Sequence, residues 1–275
     1  GYKSEISKAM FKWCTGLKFV DSKAEGSIAE EAFMGCTKLG TFDDEGLLIN
    51  TVGPRAFKNC PKLMSMVLPR VRVIQDEAFM NCPELIYMYS NSNSSNSKSS
   101  LFDIQVVGNS AFEGCKSLNT IILDDVNELG KRSFYGCERI GEFSPSSYLS
   151  VVPEEAFASS GIVRIKINGA HSWSFGSKSF ANTKLTSNFD IDQRGILVDN
   201  SDYRRISTVA SDAFDGLELK DIPLHCSYAA HDIYSKDAVL SQMNFQPYDV
   251  NYYQWTVLSN GWELTPSGIL TVTST

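Results

Sequence analysis

Apolar and polar positions along this chain recur with a period of 22 to 24 residues, interrupted twice. A phenylalanine marks each period: Phe11, Phe33, Phe57, Phe79, Phe112, Phe134, Phe157, Phe180 and Phe214, at intervals of 22, 24, 22, 33, 22, 23, 23 and 34. Five residues before each mark stands an apolar side chain: Ile6, Ile28, Val52, Ile74, Val107, Leu129, Val152, Phe175 and Val209. Three residues after it stands Cys in the first six units (Cys14, Cys36, Cys60, Cys82, Cys115, Cys137), replaced by Ser160, Thr183 and Leu217 in the last three. Leu17, Leu39, Leu63, Leu85, Leu118 and Ile140 follow at the sixth place; in the last three units this slot falls one residue earlier, at Ile162, Leu185 and Leu219.

A coil of this length cannot bury its own apolar side, so it must stack on copies of itself, and each apolar slot then becomes a column. Leu63 to Leu68 (LMSMVL) and Leu118 to Leu123 (LNTIIL) are short and apolar and read as the strand of each rung. Gly53, Gly108, Gly130, Pro153 and Gly176, just before the Phe block, supply the bend. The Phe-to-Cys stretch, as in AFKNC or AFEGC, reads as one tight helical or 3₁₀ turn. The pattern predicts an α/β repeat, a leucine-rich-repeat solenoid of about nine 22–24-residue units with one strand per rung. With strands about 4.8 Å apart, nine rungs make a rod or arc of roughly 40 Å.

Units such as Val107 to Leu123 (VGNSAFEGCKSLNTIIL) and Ile74 to Met88 (IQDEAFMNCPELIYM) resemble the BspA-type leucine-rich repeats of bacterial surface proteins, over roughly residues 6 to 224. The resemblance implies a secreted or cell-surface protein, of a kind common in Bacteroidetes and some protozoa, that binds host matrix proteins or partner cells without catalysis. The last three units and the two insertions depart from the pattern.

The first insertion, Ser90 to Ser100 (SNSNSSNSKSS), is nearly pure Ser and Asn, cannot bury anything, and is expected to be a mobile loop, with Asn93 in an N-x-S site. The second, within Ser187 to Arg205, holds Ile191, Ile196, Leu197, Val198 and Tyr203 and predicts an ordered β-hairpin on the flank. After Leu224 the repeat stops. Tyr228 to Phe245 carries apolar residues at helical spacing, as a terminal cap does. The expected division is a solenoid over 1–225, a helical cap over 226–247 and a β-hairpin tail over 248–275, which either caps the array or opens a further module.

Composition changes this picture little. The chain is 43% apolar and 21% charged, ordinary globular values. A net charge of −7 argues against a nucleic-acid partner, which calls for a basic face. No run approaches 18 apolar residues and no basic-then-apolar leader opens the chain, so leader and anchor are expected outside it. Cysteines sharing one slot read as small buried residues packing on their copies; the rival reading is a disulfide between adjacent rungs. Cys226 lies outside the register and is the candidate for a free reactive thiol. His171, His225 and His231 follow no metal-ligand spacing, and no catalytic or nucleotide-binding motif is present, so the chain is expected to be neither an enzyme nor a cofactor or metal carrier.

Function is then expected on the strands, whose outward residues align into a ladder: Phe19 and Asp21, Thr41 and Asp43, Ser65 and Val67, Tyr87 and Tyr89, Thr120 and Ile122, Glu142 and Ser144, Arg164 and Lys166. Its apolar, aromatic middle (Val67, Tyr87, Tyr89, Ile122) and its basic rung (Arg164, Lys166) are the candidate site. A protein partner, such as a host matrix or cell-surface protein, is the first expectation. A glycan or cell-wall ligand stacking on the aromatics, and a spacer role within a larger surface protein, are the alternatives.

Overall fold

The computed structural model describes residues 5–44, 48–68, 70–89, 104–119, 123, 125–145, 148–167, 172–185, 195–198, 205–226, 228–247, 262–264 and 270–272. It is a parallel β-solenoid of about seven turns with little helix. The sheets are interrupted near 90–103 and 120–122, outside the described residues, so strand pairing does not establish a count of nine units.

Where both arms are described, a coil carries two short strands rather than the expected one. Along one arm, β1 (Phe19–Ser22), β3 (Thr41–Asp44), β5 (Ser65–Val67) and β7 (Tyr87–Tyr89) form one parallel sheet. Along the other, β2 (Glu25–Ile28), β4 (Leu48–Val52), β6 (Val73–Ile74), β8 (Val106–Val107) and β9 (Glu128–Leu129) form a second. Towards the C-terminus the same two arms continue. The first holds β10 (Glu142–Phe143), β12 (Arg164–Ile167), β14 (Gly195–Val198), β16 (Pro223–Cys226) and β17 (Asn244–Pro247); the second holds β11 (Val151–Val152), β13 (Ser172–Phe175) and β15 (Arg205–Val209).

The third arm is the Phe block, and it is not a helical turn. Residues two before and two after the Phe take positive φ, as at Glu31 (58°) and Gly35 (73°) around Phe33, or Ser110 (51°) and Gly114 (75°) around Phe112. Alternate amides therefore face different partners. Phe33 N donates to Ala56 O of the next coil at 2.7 Å and Gly35 N to Lys58 O at 2.9 Å, while Met34 N and Cys36 N close local turns onto Glu31 O and Phe33 O at 3.1 Å each. Half of the backbone donors in this arm thus bind coil to coil, as in a sheet. The left-handed conformation disfavours a side chain by roughly 1–2 kcal/mol per residue, and the inter-coil bonds offset that cost.

This arm stacks the nine phenylalanines into one column. Successive rings lie 5.0–5.7 Å apart with interplanar angles of 5–14°. The Cys slot forms a second column in which each thiol donates to the Phe carbonyl of the preceding coil: Cys36 to Phe11, Cys60 to Phe33 and Cys82 to Phe57 at 3.1 Å, Cys115 to Phe79 and Cys137 to Phe112 at 3.2 Å. All seven cysteines are free. The Gly slot before each block serves close approach. A Cβ on Gly130 would lie 2.3 Å from the backbone carbon of Gly108 in the coil before.

Three expectations are corrected. The insertion after Leu185 is not a flanking hairpin: its apolar run 195–198 is β14, inserted in parallel between β12 and β16 with Ile165 opposite Ile196 and Ile196 opposite Leu224, while β15 belongs to the other arm. Ile191 and Tyr203 lie outside the described residues, as does the Ser90 to Ser100 loop with Asn93. The 226–247 stretch is helical only over Tyr228–Tyr234 (α1), and its end, β17, adds another strand to the sheet beside β16. Cys226 is fully buried on the inner side of β16, whereas Cys14 is the exposed thiol. In the tail, Trp262–Leu264 and Leu270–Val272 pair antiparallel.

Candidate binding face

Parallel pairing without slippage decides which side chains stand side by side. In the first sheet Phe19, Thr41, Ser65 and Tyr87 face one another in register, and so do Asp21, Asp43, Val67 and Tyr89. The alternating positions Phe42 and Met66 are buried, so Phe19, Thr41, Ser65 and Tyr87, with Asp21, Asp43 and Val67, point outward. Phe19 is 56% exposed, Asp21 is exposed, and Thr41, Asp43, Ser65, Val67 and Tyr87 are half-buried.

The predicted site residues divide between two sheets. Val67, Tyr87 and the backbone of Tyr89 meet on β5 and β7. Arg164 and Lys166 lie on β12, with Lys166 exposed. Arg164 Nη1 donates to Glu142 Oε2 at 3.0 Å, its in-register neighbour on β10, so this rung is already half neutralised. Ile122 and Thr120 lie outside the described residues. Phe19, Asp21 and Asp43 lie outside the expected site, and the same alternation of inward and outward residues that selects Tyr87 places them on its face.

The electrostatics of the molecule are concentrated on another side. Ten of the eleven ion pairs among the described residues run between coils along the turn arm and the corner after it. Glu31 accepts from Lys12 at 2.8 Å and from Arg55 at 3.0 Å, and these bonds hold its carboxyl below the usual range. Arg132 bridges Glu113 (2.8 Å) and Glu155 and lies 3.9 Å over the Tyr135 ring. Glu154 and Glu138 are likewise held down by hydrogen bonds from Lys131 and Lys116. This arm spends its charge on joining coils.

Among the described residues the buried thiols are held away from reactivity. Burial pushes the Cys36 and Cys226 thiols up to about 12, and raises those of Cys115 and Cys137, so these thiols are held neutral and unreactive. Among the described residues no group of His, Cys, Asp and Glu is placed to hold a metal ion, and no helix is long and apolar enough to cross a membrane.

Residues 4–105 and 87–201 match the family described as a BspA type leucine rich repeat region (6 copies), well over half of the chain. The chain belongs to the BspA-type leucine-rich-repeat family. That is a repeat family of bacterial surface proteins, and no enzymatic family is indicated. Among solved structures, the BspA-type chain is similar to the Treponema leucine-rich-repeat protein TpLRR of T. pallidum: 22% identity, TM-score 0.49, covering 60% of this chain and 76% of that one. It is also similar to a leucine-rich repeat protein from Bacteroides ovatus ATCC 8483 (17% identity, TM-score 0.40, 76% of this chain and 63% of that one). A leucine rich cell surface protein from Faecalibacterium prausnitzii A2-165 matches at 16% identity and TM-score 0.33, over 90% of this chain and 70% of that one. No curated protein matches.

Proposed function

We propose that this chain is a non-catalytic recognition module of a bacterial surface protein, binding a protein partner through its strand-lined face. One observation carries the reading: the turn arm commits its charged side chains to neighbouring coils, whereas the β1–β3–β5–β7 face leaves an aligned set of aromatic, apolar and acidic side chains towards solvent. Ordered arrays of this kind on the rigid strands of a solenoid are what extended protein interfaces are built from. On this reading the solenoid spans 1–225 as about nine units, 226–247 closes its C-terminal end, and the β-hairpin tail over 248–275 either caps the array or opens a further module. Membership of a family of bacterial surface proteins supports an adhesive role in a secreted or cell-surface setting.

The test is capture from extracellular matrix and cell-surface protein mixtures by the intact chain and by the Tyr87→Ala, Tyr89→Ala double variant, matched by circular dichroism and thermal midpoint. A partner bound by the intact chain and lost by the variant is the expected outcome. A partner retained by the folded variant sinks the proposed face.

A further inference from the structure

The face of the first coils is graded, and from that gradient we infer the chemistry of its partner: a cationic segment of a protein, with a Lys or Arg side chain seated between Phe19 and Tyr87. This rests on the strand-face reading above. Among the described residues the column Phe19, Thr41, Ser65, Tyr87 has an aromatic side chain at each end and short hydroxyl side chains between them. At about 4.8 Å per strand the two rings stand roughly 14 Å apart, with a dip two strands wide between them.

The neighbouring column supplies the charge. Asp21 and Asp43 face each other directly in register, a placement in which like charges destabilise a sheet. Among the described residues neither takes part in an ion pair, although Glu30, Glu31, Glu77, Glu113, Glu142, Glu154 and Glu155 all do. Cations of the neighbouring coil answer the glutamates of the turn arm, whereas these two aspartates face outward beside an exposed ring. A Lys or Arg stem laid over Thr41 beside the Phe19 ring brings its head to the two carboxylates, and an apolar neighbour in the same segment covers Ser65 and reaches the Tyr87 ring. The chain's net charge of −7 steers a cation towards this surface. A neutral sugar ring stacks equally well on Phe19 or Tyr87 but offers no charge to answer the paired carboxylates.

Fluorescence polarisation tests this with three labelled peptides of equal length and apolar content, one bearing Lys and Arg, one Asp and Glu, one Ser and Gln. They are titrated into the intact chain, the Asp21→Asn, Asp43→Asn variant, Tyr87→Ala, and Glu84→Gln as a charge control on the corner after the turn arm. The basic peptide is expected to bind best and to weaken as salt rises from about 50 to 300 mM. The double Asn variant should lose about tenfold in affinity and most of the salt dependence, with Glu84→Gln unchanged. Binding of the basic peptide within about twofold by the double Asn variant, or no binding of any peptide at about 1 mM, overturns the inference. A neutral peptide or chitin oligosaccharide that is held by the Asn variant but lost by Tyr87→Ala overturns the cationic partner and keeps the face. Indifference to Tyr87→Ala as well overturns the strand-face reading itself.

Discussion

Replacing Phe79 by Ala tests whether the ring column carries the coupling between coils. Phe79 is fully buried, with Phe57 at 5.3 Å and 5° on one side and Phe112 at 5.3 Å and 10° on the other. Emptying such a site costs about 3–5 kcal/mol through lost transfer energy and the remaining cavity. The two stacked contacts, about 0.5–1.5 kcal/mol each, partly overlap with that figure and place the total near its upper end, at about 4–5 kcal/mol. Phe11 is the first ring of the column among the described residues: it is half-buried and stacks on Phe33 alone among those rings, at 5.1 Å, so Phe11→Ala should cost only about 1–2 kcal/mol. Because each coil touches only its neighbours, a central vacancy breaks two interfaces and a terminal one breaks a single interface. Urea unfolding followed by circular dichroism reads the difference. At a slope of about 3 kcal/mol/M, the two variants should part by about 1 M in midpoint. A total stability of about 5–15 kcal/mol leaves room for Phe79→Ala to unfold outright. Phe79→Leu, which keeps most of the volume and loses the stacking, is then the informative variant and should cost about 1–2 kcal/mol. Equal midpoints for the central and terminal Ala variants would refute the argument.

Two further outcomes follow from the same geometry. Of the seven thiols, Cys14 alone should react with a disulfide reagent within minutes in the native state near pH 8, and Cys226 only on unfolding; rapid labelling of Cys226 by mass spectrometry would show its burial to be wrong. Acid should weaken the solenoid: Glu31, Glu138 and Glu154 have folded pKa values below their unfolded ones, so their contribution is full above the unfolded carboxylate value near ~4.3 and is lost as pH falls through the folded values. Denaturant midpoints that stay level from pH 6 to below ~4 would contradict the coil-to-coil pairing of these groups.

The Phe, Cys and Leu columns are legible in the sequence because each is a single slot repeated at a fixed interval, and stacking is the only way to bury all of them. The turn arm is not legible in the same way. AFEGC has helical composition and does make local bonds three residues back, but every second amide pairs with a coil some 22 residues on, a contact that local propensity cannot register. A signal was present nonetheless: Gly35, Asn59, Asn81, Gly114, Gly136, Asn182 and Gly216 all stand two residues after the Phe, the residue types that best tolerate positive φ. The second strand arm escapes for a different reason, since Val73–Ile74 and Val106–Val107 are too short to display a period of two. The hairpin expected from Ile191, Ile196, Leu197, Val198 and Tyr203, with the turns DQRG and DNSD between them, fails at its middle: residues 195–198 pair as β14 with β12 and β16 of the coils beside it. The helical cap fails where Asp237 accepts from the amides of Val239 and Leu240 at 2.9 Å each and starts a separate short turn, after which β17 returns to the sheet.

The two outward surfaces of the solenoid answer to different constraints, and this separates stability from recognition. On the turn arm an outward side chain is judged by its copy one coil away: Arg55 must suit Glu30 and Glu31, Lys58 must suit Glu77, and Arg132 must suit Glu113 and Glu155. A substitution there leaves a partner unsatisfied and loosens the stack. On the β1–β3–β5–β7 face the outward positions are held by backbone pairing whatever side chain they carry, so Thr41, Ser65, Val67 and Tyr87 are free to change without disturbing the columns of Phe42 and Met66 beneath them. Variation at small cost is what a surface needs if it is to be fitted to a partner. An exposed Phe19 and two facing carboxylates stand on it at some cost in repulsion to the coil, and the proposed cationic partner is what would offset that cost.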